Sequence, residues 1–276
     1  MENKKSFKIG ALLALLVAFG ACKGNSNLIR PGDPINVAYQ KAQNLFEKEK
    51  YSAAADAFET ITRIGRGTNF AKDAQYYLAE SYYRNRSFLL AASEFDRYVG
   101  FYPTDERREE VDFKTAKCYY EQSPRYELDQ SDTIRAIEAF QLFNNRYPGS
   151  ERVLESAGYI DEMRNKLARK YYEAADFYTR IREYESAAIY FGVTIDQFPE
   201  SEYAELALVR QIRTYVEYAD NSVPEKQKER YEKAVEGYQK FIQLFPRSNE
   251  RANVEALNDK SLAAIAKIDR ESATQN

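Results

Sequence analysis

The sequence has no histidine and no tryptophan, and only two of its 276 residues are cysteine. Histidine is the commonest general base and the commonest metal ligand in proteins, so its absence excludes histidine-dependent triads and histidine-containing zinc sites. Cys22 and Cys118 are too few to build a disulfide framework. The sequence also lacks a glycine-rich phosphate loop and any metal-ligand spacing, so we predict neither a cofactor nor a metal and no enzymatic activity.

The charge is nearly balanced, because 40 lysine and arginine residues stand against 43 aspartate and glutamate residues, for a net charge of −3. A protein that binds a phosphate backbone normally shows a basic patch, whereas the charges here are spread along the sequence, so nucleic acid is not an expected partner. Cys118 stands in a segment with helical spacing, where a lone cysteine is usually a small buried apolar residue rather than a reactive thiol.

Long apolar runs are also missing, and the one run near the N-terminus is short. Lys4, Lys5 and Lys8 lead into the apolar residues 9–19, and small residues precede Cys22. A membrane-spanning helix needs about 20 apolar residues, so this order is typical of a cleaved export signal. The site is similar to a bacterial lipobox, and we predict acylation of Cys22; an ordinary signal peptide with a nearby cysteine is the alternative.

What the sequence does contain is a repeat. Four dipeptides recur at intervals of 45 to 51 residues, namely Tyr102-Pro103, Tyr147-Pro148, Phe198-Pro199 and Phe245-Pro246. Each follows an amphipathic segment and is expected to end a helix, because proline cannot donate to the helical ladder and disfavours helix in the residue before it. A period of this length indicates a repeat architecture.

The tetratricopeptide (TPR) pattern fits the second repeat without a gap, at Leu78, Ala79, Tyr82, Ala91, Phe95 and Pro103. Small residues in this pattern let two antiparallel helices approach closely, and aromatic residues fill the space between successive pairs. We predict an all-α fold, a superhelical stack of five TPR-like helix pairs with a C-terminal capping helix.

The predicted domains follow from these signals. Residues 1–21 are a lipoprotein signal peptide, 22–34 a lipidated tether, 35–149 the first three units, 150–249 the last two units, and 250–276 the capping helix and tail. The tether reaches up to roughly 40 Å when fully extended. Residues 151–181 are expected to form one helix of about eight turns, and polar insertions at 123–132 and 219–228 are expected to lengthen the turns of two pairs.

Tyrosines cluster on the first helices of successive units. Tyr82, Tyr119 and Tyr178 hold the pattern position and are expected in the core. The predicted peptide-binding groove consists of Tyr76, Tyr83, Phe113 and Tyr120, because aromatic surface with a polar tip suits peptide recognition. Simple helix packing is the alternative for each of them. Glu80-Ser81 is similar to the pair found in lytic transglycosylases, but it lies inside a clean repeat with no lysozyme-like domain beside it.

Together these features resemble the BamD family of outer-membrane assembly lipoproteins, over essentially the whole mature chain. The stretches that carry the resemblance are ASEFDRY at 92–98, YPT at 102–104, DQSD at 129–132, MRNKLA at 163–168, YESAA at 184–188 and FPES at 198–201. The resemblance implies a non-enzymatic scaffold that docks on the barrel insertase with its C-terminal half and receives unfolded barrel proteins with its N-terminal half. Other assembly lipoproteins are implied as partners.

Two departures bear on the docking residues that the resemblance implies. Tyr190 stands where family members commonly have an arginine two residues after the paired alanines, and Ile181 replaces another usual arginine. The docking residues are accordingly predicted as Tyr172, Arg180, Arg182 and Tyr190. Lys23 is not the aspartate that retains many lipoproteins at the inner membrane, so the expected location is the periplasmic face of the outer membrane. The alternative function is a periplasmic TPR lipoprotein that recruits cell-wall hydrolases or proteases.

Overall fold

The structure is a computed structural model that describes residues 29–274. This part of the chain contains eleven α-helices and no β-strand. The helices are α1 Ile35–Glu47, α2 Tyr51–Ile64, α3 Phe70–Arg84, α4 Phe88–Phe101, α5 Arg108–Gln122, α6 Ser131–Arg146, α7 Val153–Arg180, α8 Tyr184–Gln197, α9 Glu202–Asp220, α10 Pro224–Leu244 and α11 Arg251–Thr274. The predicted all-α fold of five helix pairs and a final helix is confirmed.

Two compact units divide the chain. Thr115 closes the first unit and Ala116 opens the second, so the boundary falls within α5. Phe58 and Leu78 are among the buried residues at the centre of the first unit, and Phe191, Ile212 and Phe241 are among those at the centre of the second. The predicted boundary after residue 149 separates the first three repeat units from the last two. It is not the boundary between the compact units, and it stays a prediction.

The helices end where the aromatic-proline dipeptides predict. Tyr102, Tyr147, Phe198 and Phe245 each form the C-cap, one residue after the end of α4, α6, α8 and α10. Their φ values lie between −126° and −134°, outside the helical region, as expected of a residue that precedes proline. The backbone N–H of each still donates to the carbonyl four residues earlier, at 2.8 to 3.2 Å. These helix ends are therefore local consequences of the sequence.

Four of the six TPR pattern positions of the second pair are buried, whereas Pro103 is exposed and Tyr82, like Tyr119 and Tyr178, is half-buried at the edge of the core where full burial was expected. Leu78, Ala79, Ala91 and Phe95 are at most 1% exposed. The small alanines let α3 and α4 pack closely, and the corresponding aromatic Phe191 of the fourth pair is fully buried as well. Cys118 is also fully buried, as expected of a small apolar residue.

Three short turns share one backbone geometry. Glu49, Arg86 and Arg182 follow α1, α3 and α7 and have φ values of 56°, 59° and 63°. In each turn the next residue donates its N–H to a carbonyl five residues earlier, at 2.9 to 3.0 Å, which is the bond of a Schellman motif. The left-handed residue reverses the chain within a few residues, so the two helices of a pair lie antiparallel.

The two expected insertions differ. Residues 123–130 do form an extended connection before α6, whereas most of 219–228 is helical because α9 continues to Asp220 and α10 begins at Pro224. The inserted residues thus extend the two helices, and the expectation of a longer turn was wrong because proline is well tolerated in the first turn of a helix. The long helix expected at 151–181 is confirmed as the 28-residue α7.

The described part of the predicted tether is packed against the first unit. Ile29 contacts its buried core, and Asp33 accepts a hydrogen bond from Lys41 Nζ at 2.6 Å. The predicted signal peptide and Cys22 lie outside the described residues. Among residues 29–274, no helix combines the length and the apolar character needed to cross a bilayer.

Candidate functional site

One side of α3 carries a stripe of polar and aromatic residues. Asp73, Tyr76, Glu80 and Tyr83 are separated by three, four and three residues, so they lie on the same side of the helix. Arg107, Glu110 and Lys114, at the start of and within α5, lie opposite them. We refer to these seven residues as the α3–α5 network.

Three contacts join the two sides of the α3–α5 network in register. The Arg107 guanidinium lies 2.8 Å from Asp73 Oδ1. The Tyr76 hydroxyl donates to Glu110 Oε1 at 3.0 Å. Lys114 Nζ lies 2.6 Å from Glu80 Oε2. Each pair is 34 residues apart in the chain, which is the length of a TPR repeat, so equivalent positions of successive first helices meet.

Glu80 is held at the centre of this network. Its side chain is only 5% exposed, and its Oε1 lies 2.8 Å from Arg84 Nε while its Oε2 faces Lys114. Lys114 also lies 2.7 Å from Glu110. The neighbouring Ser81 donates its hydroxyl to the carbonyl of Tyr77 at 2.6 Å. The polar atoms of the Glu80-Ser81 pair are thus engaged in helix packing.

Asp105 anchors the turn that leads into α5. Its carboxylate accepts hydrogen bonds from the Tyr98 hydroxyl at 2.6 Å and from Arg107 Nε at 3.1 Å, and it lies 2.6 Å from Lys72 Nζ. Burial acts to raise the pKa of Asp105, but these hydrogen bonds outweigh it and hold the pKa well below its usual range. Burial, together with the bond to Asp105, raises the pKa of Tyr98.

Two of the predicted groove residues meet at Lys114. Its Nζ lies 5.7 Å from the ring centroid of Tyr76 and 5.8 Å from that of Tyr83, within the range of a cation–π contact. Both tyrosines are half-buried, and the Arg107 guanidinium lies 4.7 Å from the Tyr76 ring. Phe113 is only 8% exposed and belongs to the core. The structure therefore brings Tyr76 and Tyr83 together without Phe113.

Tyr120 belongs to the second unit and has partners of its own. Its hydroxyl donates to Glu162 at 2.7 Å, and its ring centroid lies 4.5 Å from that of Tyr159. Lys117 Nζ lies 4.2 Å from the Tyr120 ring. Burial and the bond to Glu162 raise the pKa of Tyr120, so its hydroxyl stays protonated at neutral pH.

The predicted docking residues fall into two groups. Tyr172 packs against Phe191 with ring centroids 5.6 Å apart, and Tyr190 packs against Tyr178 at 5.2 Å. Both half-buried tyrosines contribute to the packing of α7 and α8. Arg180 and Arg182, in contrast, are exposed at the end of α7.

Two exposed apolar residues flank these arginines. Phe177 and Ile181 are each 50% exposed, and the Arg180 guanidinium lies 3.4 Å from Asp176. Phe177, Arg180, Ile181 and Arg182 together are the α7-end patch. Phe177 was not among the predicted docking residues, although its position four residues before Ile181 places both on one side of the chain next to the arginines. That spacing is the signal that could have identified it.

Comparisons with known proteins match most of the chain to one family. The family model described as YfiO, outer membrane lipoprotein, matches residues 31–230. The chain is 23% identical over 218 residues to the outer membrane protein assembly factor BamD of Caulobacter vibrioides, covering 78% of this chain and 71% of that protein. It is 24% identical over 218 residues to the protein of the same name from Vibrio cholerae, covering 75% and 89%.

A solved structure also matches along most of the chain. It is the TPR2AB domain of yeast Sti1 in a complex with pHSP90, at 13% identity and a TM-score of 0.34, covering 83% of this chain and 86% of that one.

Proposed function

The chain belongs to the YfiO family of outer membrane lipoproteins, and we propose that it is a non-enzymatic scaffold of the machinery that assembles β-barrel proteins in the outer membrane. The observation that carries the proposal is the family match over residues 31–230, which begins before α1 and ends within α10. Its relatives are named assembly factors, which favours this function over an adaptor for cell-wall hydrolases or proteases.

The proposed anchor is the acylated Cys22. The lipid holds the protein at the periplasmic face of the outer membrane, which is where barrels are inserted. A basic leader and a short apolar run before Cys22 support this part of the proposal. Replacement of Cys22 with alanine would then abolish labelling by a radioactive fatty acid, and labelling that persisted would refute acylation at this residue.

The α7-end patch is the proposed docking surface for the periplasmic domains of the barrel insertase. Interfaces combine apolar side chains at their centre with arginines and a polar rim, and exposed Phe177 and Ile181 lie beside exposed Arg180 and Arg182. Tyr190 supports the patch through Tyr178, whose ring centroid lies 5.8 Å from that of Phe177, and Tyr172 packs on Phe191 within the same helix pair. Arg180 and Arg182 then take the place of the arginines that Ile181 and Tyr190 replace.

The surface around Tyr76 and Tyr83 is the proposed receiving site for unfolded barrel segments. Two half-buried tyrosines flank Lys114, and such aromatic side chains supply apolar contact with little loss of side-chain entropy. Lys114 already pairs with Glu80 and Glu110, so the contact offered to the bound segment is the aromatic surface of the two tyrosines. In the second unit, Tyr120 offers a further half-buried aromatic surface.

Affinity purification of the full, anchored protein from membranes tests the function. We expect a barrel insertase among the recovered partners, along with other assembly lipoproteins. Recovery of cell-wall hydrolases or proteases in place of the insertase would support the adaptor function and refute the assembly function. A matched purification with an unrelated lipoprotein of the same membrane identifies partners that are retained only because they share the bilayer.

A further inference from the structure

A basic cleft lies in the first unit, on the side formed by α2, the following turn and α4. Its volume is about 740 Å³. The residues that matter for its chemistry are Glu59, Arg63, Arg66, Arg97 and Phe101. We refer to it as the arginine cleft. None of these residues belongs to the α3–α5 network.

The charges in the arginine cleft are not balanced. Within the described residues, neither Arg63 nor Arg66 has a carboxylate within ion-pair distance. Arg97 lies 3.1 Å from Glu94, but that carboxylate also accepts a hydrogen bond from Gln75 at 2.8 Å. Arginine presents a rigid fork of donors that matches the oxygens of phosphate. An anionic group can therefore bind here without displacing an existing partner of Arg63 or Arg66.

Exposed apolar side chains lie beside these arginines. Phe101, which lines the arginine cleft, is 64% exposed, and Ile64, the neighbour of Arg63 in sequence, is 54% exposed. Aromatic and aliphatic side chains next to cations are the composition of a surface that lies in a membrane interface, where apolar groups reach the acyl boundary and cations reach the headgroups. A free inorganic anion would make no use of them.

The N-terminal end of the described chain lies next to the arginine cleft. Gly65 and Gly67 flank Arg66 in the turn after α2, and a Cβ on Gly65 would lie 3.2 Å from Ile35 at the start of α1. Ile29 packs on the same unit. Cys22 precedes Ile29 by seven residues, which span at most about 25 Å. An acyl group on Cys22 would hold Ile29, and with it the first unit, close to the bilayer and so raise the local concentration of headgroups around the unit.

We propose that the arginine cleft binds the phosphate groups of anionic lipid headgroups, with Phe101 and Ile64 in the interface, and that this contact orients the first unit on the membrane. The inference rests on the anchor part of the proposed function. It assigns a second membrane contact in addition to the acyl chains, and it involves neither the α7-end patch nor the α3–α5 network.

Hydrogen exchange of the full lipidated protein in vesicles tests this inference. Two compositions are compared, phosphatidylcholine alone and phosphatidylcholine mixed with phosphatidylglycerol. The test variant carries Arg63→Gln, Arg66→Gln and Arg97→Gln. The matched control carries Arg135→Gln, Arg247→Gln and Arg270→Gln, which likewise removes one arginine paired within its own helix and two without an ion pair.

The anionic vesicles should slow backbone exchange around the turn after α2, residues 62–68, by about threefold or more relative to neutral vesicles, because bound headgroups suppress local opening. The control variant should keep this protection and the test variant should lose it. Equal exchange in both vesicle types, or the same loss in both variants, would overturn the inference.

Two further arms separate the possible ligands and the anchor. Inorganic phosphate or a soluble acidic peptide is added to the protein in neutral vesicles, and protection as strong as that given by the anionic vesicles would overturn the lipid assignment. The mass of the purified protein and its flotation with neutral vesicles are measured first. A protein without acyl chains that does not float refutes the anchor and this inference together, whereas an acylated protein that floats without protection refutes this inference alone.

Discussion

Lys114 on α5 and Glu80 on α3 are 34 residues apart in sequence, and their charged atoms lie 2.6 Å apart. Asp73 with Arg107 and Tyr76 with Glu110 repeat this separation in the first unit, and Asp176 with Arg210 repeats it in the second. Tyr120 and Glu162 are instead 42 residues apart, because the connection at 123–130 intervenes. The sequence separation of residues in contact between successive first helices therefore equals the repeat length, plus any insertion between the two helices.

Replacement of Lys114 with methionine should lower the free energy of unfolding by about 2 kcal/mol, because Glu80 is nearly buried and would keep Arg84 alone as a partner. Chemical denaturation of the single variants, Glu80→Gln and the double variant gives the coupling energy, expected at about 1 kcal/mol or more. Lys240→Met is the matched control: its pair with Asp196 is exposed, so a change within about 0.5 kcal/mol is expected. Equal losses of stability for Lys114→Met and Lys240→Met would contradict a special stabilising role of the Lys114–Glu80 pair.

Asp105 should make the stability of the first unit depend on pH in the acidic range. Its pKa is lowered in the folded protein, so its contribution is fully present above the ordinary carboxylate pKa of about 3.9 and is lost as the pH falls through the folded value. Asp105→Asn should therefore be less stable at pH 7 by about 2 kcal/mol. The difference should shrink progressively below pH 4, as measured by urea unfolding at several pH values. A difference that did not change with pH would disprove the linkage.

Glycine substitutions at two nearby positions should change the stability of the protein in opposite directions. Arg182 has a φ of 63°, a conformation that strains a residue with a Cβ, so Arg182→Gly should stabilise the protein by about 0.5 to 1 kcal/mol. Arg180 is the last residue of α7, and Arg180→Gly should destabilise it by about the same amount. Thermal unfolding of both variants provides the measurement, and a lower melting temperature for Arg182→Gly would be the contrary result.

Tyr83 is the residue chosen to test the receiving site. Tyr76→Ala would also break the hydrogen bond to Glu110 that joins α3 to α5, whereas the ring of Tyr83 contacts Phe88 and Phe95 of its own helix pair, at 5.8 and 6.3 Å between centroids. We expect Tyr83→Ala to weaken binding of an aromatic-ended barrel peptide about tenfold, as measured by fluorescence anisotropy with the full protein. Tyr83→Phe should bind almost normally, and Tyr184→Ala, in the second unit, should have no effect. Unchanged affinity of Tyr83→Ala would assign this tyrosine to packing alone.

Charge reversal in the α7-end patch should separate docking from folding. Arg180→Glu with Arg182→Glu should reduce recovery of the barrel insertase about tenfold or more, because opposite charges at an interface set its specificity. Thermal stability should change little since both arginines are exposed. Arg247→Glu with Arg251→Glu is the control at a distant exposed site, and normal recovery with the first pair of changes would exclude the patch as the docking surface.

Much of the fold could be predicted because its signals are local. Tyr102, Tyr147, Phe198 and Phe245 end their helices through the steric effect of the following proline. The same reasoning failed at Pro224, because proline suits the first turn of a helix as well as a loop. The candidate site was predicted less completely. Tyr76 and Phe113 are both aromatic residues on the first helix of a repeat unit, and both were predicted in the groove. Tyr76 is half-buried at a surface, whereas Phe113 is in the core.

The sequence by itself determined the helix pairs, their ends and the family resemblance, since each depends on residues that are neighbours along the chain or recur at a fixed period, and the export signal stays a prediction of the same local kind. The tertiary structure alone decided which side chains meet across that period. Lys114 reaches Glu80, Tyr76 and Tyr83 together, and Arg63, Arg66 and Arg97 converge on one cleft with exposed Phe101. These relationships arise from the way helices pack, which buries one side of each and brings distant residues together on the other.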